Sequence, residues 1–261
     1  MRSSVAHRIP STTRVASAAR SARALLVPGD VLGRVHSFAH THLYAGCRGL
    51  VAVTDRTASH SVCAVRVDPQ TFADLATATY LDVQAQALVS GQLAIEVRRT
   101  WDTRVRAMRR PPERIPGELW TALHSSRHAL PLSTELQPAA LVGRGEGLTP
   151  SGDDLLCGVL AAAHAWSGPD EVSRLWQRIV PHLAGTTDLS AQFLRSAYEG
   201  HVAGELRELL IGLARGPWRP AYDDLLRLGH SSGADLAHGV LLHLETLAGA
   251  PRGRAATAVD G

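Results

Sequence analysis

Cysteine is scarce in this chain and poorly spaced for chemistry. Cys47, Cys63 and Cys157 are odd in number and form no Cys-x-x-Cys pair. That excludes a disulfide framework and a thiolate zinc site, and fits a reducing cytoplasm. Aromatic residues make up only 5% of the sequence and are not interleaved with basic ones, so the stacking platforms of single-strand nucleic-acid binders are missing. The longest apolar run, Leu155 to Trp166, includes His164 and is too short to span a bilayer. Acidic residues are absent before Asp30, so much of the surplus of positive charge behind the net +3 sits in the leading segment. The rest of the arginine is dispersed. With no recognition helix in view, neither nucleic acid nor a membrane is an expected partner.

The 261 residues suffice for one large domain or two modest ones. Residues 1–16 are rich in Arg, Ser and Thr and resemble a transit peptide in composition, but read as a disordered tail. Residues 251–261 read as a second tail. Residues 17–110 read as a small, mainly β region. A short helix is expected over Ser17–Leu26, then the turn Pro28-Gly29-Asp30 and short alternating stretches from Val31 onward, including "SVCAVRVD" (61–68) and "GQLAIEVRR" (91–99). Thr71 to Tyr80 reads as a short helix or irregular chain, and neighbouring strands are expected to be antiparallel. Pro111, Pro112 and Pro116 mark a joint. Beyond it, residues 111–250 read as helices: Glu118–Leu130, Pro150–Trp166, Asp170–Leu183 with a break near Pro181, Ser190–Glu199, His201–Ala214, Tyr222–Leu228 and Gly233–Leu247. Strands followed by helices predict an α+β fold.

The densest local signal is "GRGEGLTPSGDDLLCG", Gly143 to Gly158. Gly143, Gly145 and Gly147 alternate ahead of a helix start. Glycines tolerate positive φ and allow backbone N–H groups to approach a ligand, and successive N–H groups form anion-binding nests. Thr149 suits an N-cap with Pro150 at the first helical position; alternatively Ser151 caps, with Asp154 three residues on. Either start aims a positive helix end at the glycine loop, where phosphate or carboxylate is the natural ligand. A purely structural capped turn accounts for the same residues about as well. The stretch is not a P-loop, because it lacks the Gly-Lys-Ser/Thr step.

A second stretch, "HSSGADLAHGVL" (230–241), aligns without gaps on "TPSGDDLLCGVL" (149–160) at a constant offset. Both carry Ser-Gly-x-Asp-Leu-x-x-Gly-Val-Leu. A glycine inside a helix costs about 1 kcal/mol relative to alanine, so Gly158 and Gly239 require a reason. Each lies four residues after an aspartate, on the same helix face. The reading is a helix pair whose starts converge on one anionic ligand. Asp154 and Asp235 would then orient the loops, accept a substrate N–H or hold a hydrated Mg²⁺, whose hard character suits carboxylate oxygens.

Leu-Thr-Pro-Ser-Gly-Asp-Asp (148–154), Thr-Thr-x-Leu-Ser-x-x-Phe-Leu (186–194) and Gly-His-Ser-Ser-Gly-Ala-Asp-Leu (229–236) resemble the AllH family. That family is named for a subunit of oxamate carbamoyltransferase in anaerobic allantoin breakdown. "RVHSFAHTHLYAG" (34–46) is similar to the family's early Val-His-Ser-x-Phe segment, without the Asn-Leu that usually follows. The resemblance implies phosphorolysis of oxalurate to oxamate and carbamoyl phosphate, or the reverse transfer. It also implies partner subunits, one similar to acyl-CoA synthetases, and a small anionic substrate.

The catalytic candidates are Asp153, Asp154, Asp235 and His230. The ligand candidates are Gly143, Arg144, Gly145, Gly147, Thr149, Ser151, Gly152, Thr186, Thr187, Ser231, Ser232 and Gly233. Thr187 or Asp188 equally suits capping of the next helix, and Arg144 equally suits a solvated loop. His36, His40 and His42 have metal-like spacing but no matched further ligand. Cys157 reads as a small core residue. Two alternatives to a catalytic transferase subunit stay open: a non-catalytic binding or scaffold subunit, and a kinase-like enzyme using the glycine loop.

Overall fold

The computed structural model describes residues 10–85, 87–113, 115–124 and 136–248. The chain forms two compact units, Met1–Thr103 and Arg104–Gly261.

The first unit is a closed eight-stranded barrel. Its strands are β1 (Thr12–Ala19), β2 (Val31–Phe38), β3 (Thr41–Gly46), β4 (Gly49–Thr54), β5 (Ala64–Arg66), β6 (Tyr80–Gln84), β7 (Ala87–Ser90) and β8 (Leu93–Trp101), in the spatial order β1-β5-β4-β3-β2-β6-β7-β8. Two short helices, α1 (Arg20–Leu25) and α2 (Pro69–Asp74), interrupt the strands. Asp68 caps α2 by accepting the Thr71 N–H at 3.0 Å, with Pro69 at the first helical position. A core of Leu32, Tyr44, Val53, Val65, Leu81, Leu88 and Ile95 fills this unit.

Two expectations fail here. Residues 12–16, expected within a tail, belong to β1, which pairs with both β5 and β8. Its buried positions are Ala16, Ala18 and Ala19. Such small side chains, interrupted by Arg14 and Ser17, give almost no hydropathy signal, and the expected helix from Ser17 begins only at Arg20. The neighbours are also not all antiparallel. β1 runs parallel to β8, and β4 parallel to β5. The barrel closes through the first of these pairs, which is long-range in sequence and leaves no local turn signature.

The second unit is helical: α3 (Gly117–His124), α4 (Pro138–Leu141), α5 (Ser151–Trp166), α6 (Pro169–Ile179), α7 (Asp188–Tyr198), α8 (Gly204–Arg215), α9 (Arg219–Leu225) and α10 (Ser232–Ala248). A 3₁₀ turn, Val180–Gly185, continues α6 at the place where Pro181 predicts a break. The part of the first expected helix beyond His124 lies outside the described residues. α5 is buried on nearly every side from Gly152 to Ala163, as befits a central helix whose sequence is apolar all round. It packs against α6, α7, α8 and α10.

The α5–α10 contact is unusually close. A methyl on Gly158 would stand 2.1 Å from the Leu236 carbonyl oxygen, and one on Gly239 would stand 2.0 Å from the Leu155 carbonyl oxygen. Each mid-helix glycine thus admits the backbone of the other helix, which explains residues that helix propensity disfavours. Gly158→Ala is expected to lower stability by roughly 2–3 kcal/mol despite a better intrinsic helix former, because the two backbones must separate. Gly117→Ala, whose methyl would meet nothing within 4 Å, is expected to change stability by less than about 0.5 kcal/mol. Urea denaturation of the two variants measures the contrast.

Candidate functional site

The helix crossing fixes where the starts of α5 and α10 lie. Both helices begin at the serine of the shared sequence pattern, Ser151 and Ser232. The Thr149 hydroxyl is 3.0 Å from the Ser232 hydroxyl, and Ser151 and Ser231 approach to 3.5 Å. Ser231, Ser232, Ser151 and Thr149 therefore form one cluster of hydroxyls between two helix starts. The N-cap of α5 is Pro150, with no side-chain cap bond. Neither Thr149 nor Ser151 caps the helix as expected; the Thr149 hydroxyl is directed to the second helix instead.

The first-turn glycines have parallel surroundings. A methyl on Gly152 would lie 2.0 Å from the carbonyl oxygen of Leu141, at the end of α4, and one on Gly233 would lie 1.9 Å from that of Leu225, at the end of α9. The Gly152 N–H donates to the Arg144 carbonyl at 2.9 Å and the Gly233 N–H to the Leu228 carbonyl at 3.1 Å. These two donors, expected to face a ligand, are thus used inside the chain. The Asp153 and Asp154 N–H groups donate to the Pro150 carbonyl.

Gly143, Gly145 and Gly147 all take positive φ, at 74°, 119° and 87°, a region that costs other residues strain. The loop is stitched down at several points. Asp153, fully buried, accepts the Gly143 N–H at 3.0 Å on Oδ1 and the Thr186 hydroxyl on Oδ2. Thr187 donates its hydroxyl to the Leu148 carbonyl at 2.6 Å and accepts the Ser190 N–H at 3.1 Å, so it caps α7. Asp153, Thr186 and Thr187 therefore hold the glycine loop against α5 and α7, with their polar atoms committed to the chain. Arg144 is exposed and enters no ion pair among the described residues. His230 is exposed in the turn before α10. The loop joins α4 to α5, not a strand to a helix, so the strand–loop–helix setting of a P-loop or a dinucleotide fingerprint is not formed.

Asp154 differs from Asp153. It is 4% exposed, and its Oδ2 has no hydrogen-bond partner among the described residues. Burial pushes its carboxyl up to about 8. The hydroxyls of Ser232 and Thr149 oppose the shift, and the Asp235 and Asp153 carboxylates reinforce it. Asp235 is also buried, at 2% exposure. At neutral pH Asp154 is thus mainly a neutral acid, able to donate a proton or a hydrogen bond. Among the described residues no group of three or more His, Cys, Asp or Glu side chains is placed to hold a metal.

The histidines of the barrel do not converge either. His36 is exposed on β2, and His42 is buried on β3, stacked on Phe72 with its Nδ1 2.8 Å from the Ser37 hydroxyl. His40 lies in the turn before β3, its Nδ1 2.8 Å from Asp55 Oδ2. Burial works against the Asp55 charge. The Thr57 hydroxyl, His40 and the Thr57 and Ala58 N–H groups outweigh it, holding the carboxyl at about 2. Cys157 is buried, and its thiol is held well above its ordinary range by burial and by Asp154 and Asp153, as suits a core residue.

Residues 141–244 match the model of a protein family described as oxamate carbamoyltransferase subunit AllH. The match takes in the glycine loop, the Thr186-Thr187 turn and both helix starts; the 34–46 segment lies outside it. No solved structure matches the chain.

The raised Asp154 pKa gives stability a definite pH dependence. The folded chain keeps this proton up to about pH 8, whereas the unfolded chain releases it near 3.8. Stability from this group is fully present below the unfolded value and is lost as pH rises through the folded one. Asp154→Asn cannot ionise, so its melting temperature is expected to fall less than that of the parent between pH 5 and pH 8. Thermal denaturation of the two proteins across that range measures the difference; parallel curves would show that Asp154 is ionised when folded.

Proposed function

We propose that this chain is a subunit of a carbamoyltransferase-type enzyme, and that the α5 and α10 starts form a pseudo-symmetric pair around a small anion. The observation that carries the reading is the meeting of Thr149 with Ser232, beside a buried, largely protonated Asp154, inside the segment matched by the family model. The ligand is a phosphate or carboxylate of the oxamate, oxalurate and carbamoyl phosphate group. The hydroxyls of Ser151, Ser231 and Ser232 donate to its oxygens, and two helix dipoles add positive potential. Arg144 closes over it from the glycine loop.

In the phosphorolysis direction a phosphate oxygen attacks the carbamoyl carbon of oxalurate. The bond from that carbon to the oxamate nitrogen breaks, the nitrogen leaves with a proton supplied by Asp154, and the proton given up by the attacking hydrogen phosphate restores Asp154 to its acid form. A carboxyl near pH 8 in its acid form suits that role. Asp235 orients the acceptor, and Asp153 positions the glycine loop without entering the chemistry. Because the matching family is named for a subunit, the active species includes further subunits, one of them similar to acyl-CoA synthetases.

A second reading is a non-catalytic subunit whose partner performs the transfer. It is favoured by how many polar groups here are committed internally: the Gly152 and Gly233 N–H groups and both Asp153 oxygens. Carbamoyl phosphate formation from oxalurate and phosphate, assayed with the chain alone and with its partner subunits, separates the two. Asp154→Asn is expected to lower turnover by about 10²–10⁴-fold with KM little changed, and Asp235→Asn to raise KM. Unchanged turnover in Asp154→Asn, with carbamoyl phosphate still bound, favours the scaffold reading.

A further inference from the structure

A second candidate binding site lies in the helical unit, lined by none of the residues above. The stretch Arg104–Arg109 runs alongside α8. It is pinned by the Arg104–His201 bridge, by the Val105 N–H to the Gly200 carbonyl at 2.8 Å and by the Met108 N–H to the Ala165 carbonyl at 2.7 Å. Between segment and helix is a cleft of about 670 Å³, within the size range of small-molecule sites. On α8, Arg207, Ile211 and Arg215 follow at four-residue spacing and so share one face toward it.

The charge in the cleft is unbalanced. Arg106, Arg109, Arg207 and Arg215 line it, against one acid, Glu208. Glu208 is already paired with Arg207 at 2.7 Å, and Arg207 also donates from Nε to the Arg104 carbonyl at 3.3 Å. Among the described residues Arg109 and Arg215 have no acidic partner and are exposed. Guanidinium groups not engaged by carboxylates are suited to bidentate binding of phosphate oxygens. Val105, Met108, Leu210 and Ile211 supply apolar wall, which an inorganic ion would not use.

We propose that this cleft binds an organic phosphate of about nucleotide size. Arg109 and Arg215 hold the phosphate groups, and an apolar or aromatic body lies against Met108 and Ile211. The site is separate from the α5–α10 site, so its ligand is a second substrate or an effector.

Isothermal titration of the full chain with ADP, inorganic phosphate and adenosine tests the assignment. ADP is expected to bind at least about tenfold more tightly than either half. Arg109→Ala and Arg215→Ala are each expected to weaken ADP by about tenfold or more. Arg109→Lys is expected to be intermediate, and Arg144→Ala unchanged. Both arginines are exposed and have no acidic partner among the described residues, so their removal leaves the fold in place. Phosphate binding as tightly as ADP and lost in Arg109→Ala and Arg215→Ala rather than in Arg144→Ala, ADP affinity unaffected by both alanine substitutions, or ADP affinity lost in Arg144→Ala would each overturn the proposal.

Discussion

The close crossing of α5 and α10 is the constraint on which the rest of the helical unit depends. Gly158 receives the backbone of α10 at Leu236, and Gly239 receives that of α5 at Leu155. The two contacts are reciprocal, and both lie two turns or fewer from the helix starts. A rigid crossing at that depth fixes the separation of the starts themselves, since a helix does not bend over so short a distance without a proline or a bulge. That is why Thr149 meets Ser232 and why Asp154 is surrounded by groups from both helices. Dispersion and burial along the crossing offset the poor helix propensity of two internal glycines.

A second layer of constraint surrounds each start. Gly152 and Gly233 lie against the ends of α4 and α9, and their N–H groups return to the loop just before each helix. Helix starts usually leave such donors to solvent, side chains or ligands. Here the Gly152 and Gly233 donors are satisfied in advance by carbonyls of the chain itself. The same burial that makes Asp154 neutral makes the cluster tolerable, because three ionised carboxylates in so dry a place would repel strongly.

Much of this was legible in sequence, for physical reasons that differ from residue to residue. The longer helices announced themselves by periodicity, and α6 by the proline that ends it, whereas the single-turn α4 (Pro138–Leu141) is too short to show a period and was not expected. Gly158 and Gly239 were legible because a glycine in a helix is costly, so its presence implies a close approach; the partner that approaches was not. Thr187 was readable as a cap. The role of Asp153 was not, since its two partners, Gly143 and Thr186, are brought to it only by tertiary structure. The barrel was legible as short strands but not as a closed ring. Closure depends on a parallel pairing of β1 with β8, and β1 buries alanines that hydropathy scarcely registers. The arginine cleft was not legible either. Arg106 and Arg109 are close in sequence, yet Arg207 and Arg215 of α8, which complete the cleft, lie about a hundred residues further on.

The two helix starts are alike in backbone setting and unlike in charge, and the difference bears on how an anion would be oriented between them. Where α5 has Asp153, α10 has Ala234; where α5 is preceded by three glycines of positive φ, α10 is preceded by one, Gly229, and then by His230 and Ser231. Asp153 spends its charge on the Gly143 N–H and the Thr186 hydroxyl, so it tightens the glycine loop without presenting a carboxylate to the ligand. On the proposed reading, the glycine-loop side, clamped by Asp153, is assigned the phosphate, and the Ser231–Ser232 side, where the aligned position is Ala234, is assigned the acceptor.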